Sequence, residues 1–143
     1  MPHDQYDDDD LLRILTSTKV IAMVGASAKS ARPSHNVMGF LLRRGYRVIP
    51  VNPGIEGQMI HEQRVMAHLA DIKEPIDMVD VFRNSAQVSA LVDEILALPD
   101  LPKYLWMQLG VVDVPAAARA EARGIEVVMN RCPAIEIPRL GIL

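Results

Sequence analysis

The residues best suited to do chemistry lie in one stretch, Gly25-Ala26-Ser27-Ala28-Lys29-Ser30-Ala31-Arg32-Pro33-Ser34. It joins an apolar run to an amphipathic one, the pattern of a strand, a turn and a helix. Amides in the first turn of a helix lack intrahelical acceptors, and the helix dipole there favours negative charge. Such a turn can therefore hold a phosphate without any catalytic residue. Ser27, Ser30 and Ser34 and the cations Lys29 and Arg32 add donors for phosphate oxygens. The plainer reading of the same residues is an ordinary strand-to-helix loop with a capped helix.

Two better-known phosphate motifs are absent. A dinucleotide fingerprint needs three fixed glycines, but only Gly25 stands in this loop, which is also longer than that motif allows. The next apolar run ends Val51-Asn52-Pro53, with no Asp or Glu to take the ribose hydroxyls of NAD. There is no Gly-Lys-Ser/Thr either, so nucleoside triphosphate hydrolysis has no support.

Elsewhere the candidates are few. Cys132 is the lone cysteine, so an internal disulfide is excluded, and it follows a strand end where it is either a reactive thiol or a half-buried structural residue. His3, His35, His61 and His68 show no metal-ligand spacing, and no metal is expected. His35 falls in the first turn below the phosphate loop and reads as a surface residue. Asp7 to Asp10 precede the periodic Leu11, Leu12, Ile14 and Leu15, which marks a helix start with carboxylates at the positive end of the dipole. Arg131 and Glu136 are expected to pair and shape the last loop.

The elements that must position these residues follow from alternation. Val20 to Ala26, Arg47 to Val51, Met78 to Phe82, Tyr104 to Gln108 and Glu126 to Met129 read as strands buried on both faces. Helices are expected over Ser34 to Arg44 with Ser34 as N-cap, Ser85 to Leu98, and Pro115 to Arg123. Between the second and third strands, Gly54, Gly57 and Gln58 read as loop, and His68 to Ile72 as about one helical turn. The fold class is α/β: a Rossmann-like, doubly wound, five-stranded parallel sheet in three layers, expected in the order 3-2-1-4-5. Ligands of such sheets bind beyond the carboxyl ends of the strands, after Ala26, Val51, Phe82, Gln108 and Met129.

The chain has 143 residues, half of them apolar, which fits one core. Residues 1–19 form an acidic helix packed on the domain of residues 20–143. A net charge of -3 gives no basic face for nucleic acid. The longest apolar stretch, Val20 to Val24, falls far short of the ~20 residues that span a bilayer. The N-terminus carries the wrong charge for an export signal, so the expected compartment is the cytoplasm. Pairing into a homodimer suits a small α/β domain, although no residue demands it.

Several ordered blocks resemble a known family: Val24-Gly25-Ala26-Ser27, Arg32-Pro33-Ser34, Val51-Asn52-Pro53-Gly54, Asp77 to Arg83, Trp106-Met107-Gln108-Leu109-Gly110 and Asn130-Arg131-Cys132-Pro133. Together, over Val20 to Leu140, they look like the small stand-alone coenzyme A (CoA) binding proteins. These are similar in fold to the CoA-binding domain of the succinyl-CoA synthetase α subunit. The resemblance implies a small-molecule nucleotide ligand, CoA or an acyl-CoA, lying along Gly25, Ala26, Ser27, Arg32, Pro33, Ser34, Asn52, Pro53, Phe82 and Arg83. Gln108 and Gly110, at the end of their strand, and Cys132, after a strand end at the ligand face, are further expected lining residues. Phe82 either stacks on adenine or packs in the core. The turn after the second strand lacks the lysine that helps the synthetase bind CoA, which leaves that contact to Arg32 or Arg83. Many relatives have Lys where Ala134 stands. The synthetase's phosphorylated histidine sits on a second domain with no counterpart here, so binding without catalysis is expected. The alternatives are an NAD(P)-binding oxidoreductase-like domain and an acyl transferase built on Cys132.

Overall fold

The computed structural model describes residues 5–142, so His3 and the first residues of the acidic segment lie outside the described residues. α1 (Asp8–Ser17) begins where the acidic run places it. Asp7 is extended and its carboxylate accepts the Asp9 N–H at 2.8 Å. Leu11, Ile14 and Leu15 of this helix are buried, and both terminal nitrogens of Arg13 reach the Glu126 carboxylate at 2.8 and 2.7 Å. α1 thus belongs to the packed body of the domain.

Five strands form one parallel sheet. They are β1 (Val20–Val24), β2 (Arg47–Val51) and, after a short antiparallel hairpin of β3 (Met59–Ile60) and β4 (Gln63–Arg64), β5 (Met78–Val81), β6 (Tyr104–Met107) and β7 (Glu126–Val128). Successive side chains point to opposite faces. Ile21, Met23, Met78 and Trp106 pack with α1, α2 (Pro33–Arg43) and α5 (Pro133–Arg139). Ala22, Val24, Val79, Leu105 and Met107 pack with α3 (Val88–Leu96) and α4 (Val114–Glu121). Both faces are apolar and covered, which makes three layers. Trp106 is fully buried and its indole N–H donates to the Arg131 carbonyl at 2.9 Å.

The strand order differs from expectation. It is β2-β1-β5-β6-β7, which puts the second long strand at an edge and the third beside the first, 2-1-3-4-5 among the long strands. Pro50 accounts for this. It lacks an N–H, and a sheet tolerates proline at an edge. On the outer side of β2 only a single bridge forms, in which the Met66 N–H donates to the Pro50 carbonyl and the Asn52 N–H to the Met66 carbonyl, each at 2.9 Å. No helix crosses between β2 and β5. That segment holds the hairpin and two 3₁₀ turns, Pro53–Ile55 and Leu69–Asp71, the second with its N-cap at His68.

The last segment also differs. Cys132 to Glu136 belong to a loop in the sequence reading, yet α5 begins at Pro133, a residue whose fixed φ suits a first helical position. Pro138 in its last turn masks the helical pattern. Glu136 pairs with Arg139 at 3.1 Å instead of with Arg131, and Arg139 also reaches Asp8 at 2.9 Å. The Arg131 guanidinium lies over the Tyr6 ring, 5.0 Å from its centroid.

The packing of α1 sets an expectation for stability. Leu11 is 1% exposed, so Leu11→Ala is expected to cost about 2–5 kcal/mol in denaturant unfolding. A cost near zero would show that α1 is an appendage to a core formed by the rest of the chain.

Candidate functional site

The observed strand order places the reversal of winding between β1 and β5, where a doubly wound sheet opens a crevice. The two strand ends approach closely there. Gly25 has φ +87°, and a Cβ on it would sit 2.1 Å from the Phe82 carbonyl oxygen, so no side chain fits. Its N–H donates to the Val51 carbonyl at 2.9 Å, and the Phe82 N–H donates to the Val24 carbonyl at 2.8 Å. These contacts draw three strand ends into one rim.

The loop beyond Gly25 is held by its own polar side chains. Ser34 is not the N-cap; Arg32 occupies that position, and the buried hydroxyl of Ser34, the second residue of α2, accepts the Ser27 N–H at 3.1 Å. The Ser27 hydroxyl accepts the Lys29 N–H at 3.1 Å. Asn52 donates from its side-chain amide to the Ala26 carbonyl at 2.9 Å and accepts the Gly54 N–H at 3.0 Å. Ser34 and Asn52 therefore shape the loop first. The amides of Ala28, Ser30, Ala31 and Ser34 have no acceptor among the described residues.

Beside this loop lies a cleft of ≈ 670 Å³ that brings together Gly25, Ser27, Arg32, Pro33, Ser34, Asn52, Phe82 and Arg83 from the sequence-predicted set. Ala28, Lys29, Ile55 and Gln58 complete it. Pro53 lies outside it, on a smaller hollow shared with Arg83, and Ala26 is buried behind it. Lys29, Arg32 and Arg83 form no ion pair or side-chain hydrogen bond among the described residues, and no carboxylate lines the cleft. In a chain of net charge -3, this is a local concentration of unneutralised positive charge.

A second cleft of ≈ 550 Å³ adjoins the first and shares Pro33, Phe82 and Arg83 with it. Gln108 and Cys132 lie at this one, joined by Val37, Leu109 and Val111. Another hollow of ≈ 210 Å³ is distant from these strand ends, near the start of β2, and contains the Arg47–Glu74 ion pair.

Behind the second cleft is a group the sequence reading missed. Asp80 is fully buried in β5; Gln108 donates to its Oδ1 at 2.8 Å, and its Oδ2 has no partner. Burial pushes this carboxyl up to about 7, with the Gln108 bond and the Val81 amide partly opposing the rise. A single acidic residue in the otherwise apolar Met78-Val79-Asp80-Val81 was the signal in the sequence, since a strand covered on both faces rarely buries a charge. The Cys132 thiol is raised as well, by burial first and also by the charges of Asp80 and Glu136, against bonds from the Ala134 and Ile135 amides. A rise of this kind works against thiolate formation.

Neither cleft is lined by a histidine. His35 is half-buried instead of lying open on the surface; its ring is 4.2 Å from that of His61, whose Nε2 is 2.8 Å from the His35 carbonyl. Among the described residues no group of His, Cys, Asp and Glu could hold a metal ion, and no helix is long and apolar enough to cross a membrane.

Residues 19–138 match the family model of the CoA binding domain. The chain belongs to that family. A relative from Bacillus subtilis, the uncharacterized protein YneT, is 36% identical over 123 residues, covering 86% of this chain and 88% of its own. A solved structure from Thermus thermophilus, cell-free ID.343, superposes with a TM-score of 0.88 at 37% identity, over 94% of this chain and 99% of that one. A hypothetical protein from Pyrococcus horikoshii OT3 gives 0.89 at 34% identity, over 98% and 96%. The CoA binding domain and these neighbours share the observed three-layer parallel sheet.

Asp80 generates an expectation about pH. An acid whose folded-state value is raised holds its proton more tightly in the folded chain. The stability it contributes is complete below the ordinary 3.8 and is lost as pH climbs through about 7. Asp80→Asn removes that loss, so the melting temperature of the variant relative to wild type should increase by several degrees between about pH 4 and about pH 8. A pH-independent difference would mean that Asp80 ionises as an ordinary surface carboxylate.

Proposed function

We propose that this CoA binding domain holds coenzyme A, free or acylated, across the two joined clefts, and that it binds this ligand without transforming it. The observation that carries this reading is the cleft beside the Gly25–Ser34 loop, with Lys29, Arg32 and Arg83 unpaired and no carboxylate among them. CoA carries a pyrophosphate and a 3′-phosphate, and a phosphate-rich nucleotide is the class of ligand such a cleft attracts. The open amides of Ala28, Ser30, Ala31 and Ser34 support the same placement. The pantetheine arm then passes Phe82 into the second cleft, with its sulfur toward Gln108 and Cys132. A raised Cys132 thiol and two clefts without histidine favour binding over acyl transfer, which needs an activated nucleophile. A lone cysteine also suits a reducing compartment such as the cytoplasm.

Thermal unfolding tests the reading. CoA at about 100 times its dissociation constant should stabilise the protein by about 2.7 kcal/mol, whereas NAD and NADP should leave it unchanged. Stabilisation by NAD(P) and not by CoA would transfer the protein to the oxidoreductase-like alternative. Arg32→Ala should weaken CoA more than dephospho-CoA if Arg32 faces the 3′-phosphate, and equal losses would remove it from that position. Covalent acyl labelling from acyl-CoA that disappears in Cys132→Ser would instead establish the transferase.

A further inference from the structure

The two clefts differ in chemistry. The first has three unpaired cations. In the second the only charged lining side chain is Arg83, which both clefts share, and Gln108, Leu109, Gly110, Val111 and Cys132 line the second cleft alone. That part of the lining carries no charge, and Gln108 bonds the buried Asp80 carboxyl.

Leu109 is 57% exposed; farther along, Val112 is 44% exposed and Val114, the first residue of α4, is 55% exposed. This exposure is fixed by hydrogen bonds. The Gly110 N–H donates to the Asn130 side-chain oxygen at 2.7 Å, the Val112 N–H donates to the Ser85 hydroxyl at 2.9 Å, and that hydroxyl donates to the Gly110 carbonyl at 3.3 Å. Asn130 holds the uncommon φ of +58° while making its contact. A loop pinned to two neighbouring strand ends keeps its apolar side chains in water at the mouth of a cleft. Of these exposed side chains Leu109 lines the cleft itself, and an apolar side chain held in water at the edge of a cleft marks a place for an apolar ligand group.

We propose that the second cleft and the Leu109–Val114 loop take the acyl group of an acyl-CoA, and that the acyl group preferred is an uncharged hydrocarbon chain. This rests on the reading of the first cleft as the CoA nucleotide site. Free CoA leaves Leu109 in water, while an alkyl chain covers it. A dicarboxylic acyl group would carry its terminal carboxylate to an end of the cleft that offers no cation, where an unpaired charge is costly to desolvate.

Calorimetric titration with CoA, acetyl-, butyryl-, hexanoyl- and succinyl-CoA tests this. A methylene fully removed from water tightens binding about fourfold, so in this open cleft hexanoyl-CoA should bind at least about tenfold more tightly than acetyl-CoA. Succinyl-CoA should bind more weakly than butyryl-CoA, which has the same chain length. In Leu109→Ser, a substitution at an exposed position that should leave the melting temperature nearly unchanged, the hexanoyl-to-acetyl ratio should fall toward one. A series with no dependence on chain length, or succinyl-CoA as the tightest ligand, would overturn the inference while leaving CoA binding intact. Failure of every member, CoA included, would overturn the parent reading. If chain length has no effect and Leu109→Ser converts a dimer into a monomer in sedimentation, the loop is a contact between copies and the inference fails.

Discussion

Phe82's carbonyl oxygen stands where a Cβ of residue 25 would be, and the rest of the site depends on that approach. With glycine at that position the end of β1 can turn, donate its amide to Val51 on β2 and lie against β5. The loop that follows then projects over the sheet and does not continue along it. Ser34, from inside α2, and Asn52, from the end of β2, hold it there by bonding Ser27 and the Ala26 carbonyl. Polar residues that a motif search assigns to a ligand are thus partly committed to the protein. What they leave open, a row of amides and three cations, is what an anionic nucleotide can use.

Charge is divided sharply along the two joined clefts. Positive side chains gather where the loop and the rim of β5 meet, and neutral ones close the far end. A negative chain as a whole can still attract a polyanion, because the field inside a cleft is set by the groups lining it more than by the net charge. Asp80 reinforces the division from behind: it sits deep in the sheet on the side of the neutral cleft, tied to Gln108, and is raised by burial. Burial raises the Cys132 thiol as well, with smaller contributions from Asp80 and Glu136. Cations thus line the loop side of the joined clefts, while a buried carboxyl with one unpartnered oxygen stands behind the neutral side.

The scaffold around the clefts is firmly held. The sheet is apolar on both faces, the helices on either side are short, and the loops bearing the site are pinned by side-chain hydrogen bonds at Ser27, Ser34, Asn52, Ser85 and Asn130. Preorganised loops lower the ordering cost of binding a long, flexible ligand such as CoA.

Much of the fold was legible in the sequence because it is local. The five strands, the start of α1 at the aspartate run, and the bodies of α2 and α4, though not their first residues, follow from periodicity and from the chemistry of residues a few positions apart. Pro50 also held the clue to the edge position of β2, and reading it correctly would have given the strand order. By itself the sequence determined which segments are buried and that a polar, serine-bearing loop joins β1 to α2. Only the tertiary structure decided that Arg83 faces Lys29 and Arg32, that Ser34 supports the loop and does not cap the helix, that Glu136 pairs with Arg139, and that Asp80 lies beneath Cys132. The Glu136–Arg139 pair lies three residues apart within α5 and follows once that helix forms. The other relations join residues on different segments of the chain, and their distances are set by how the sheet is ordered and packed, which no spacing along the chain encodes.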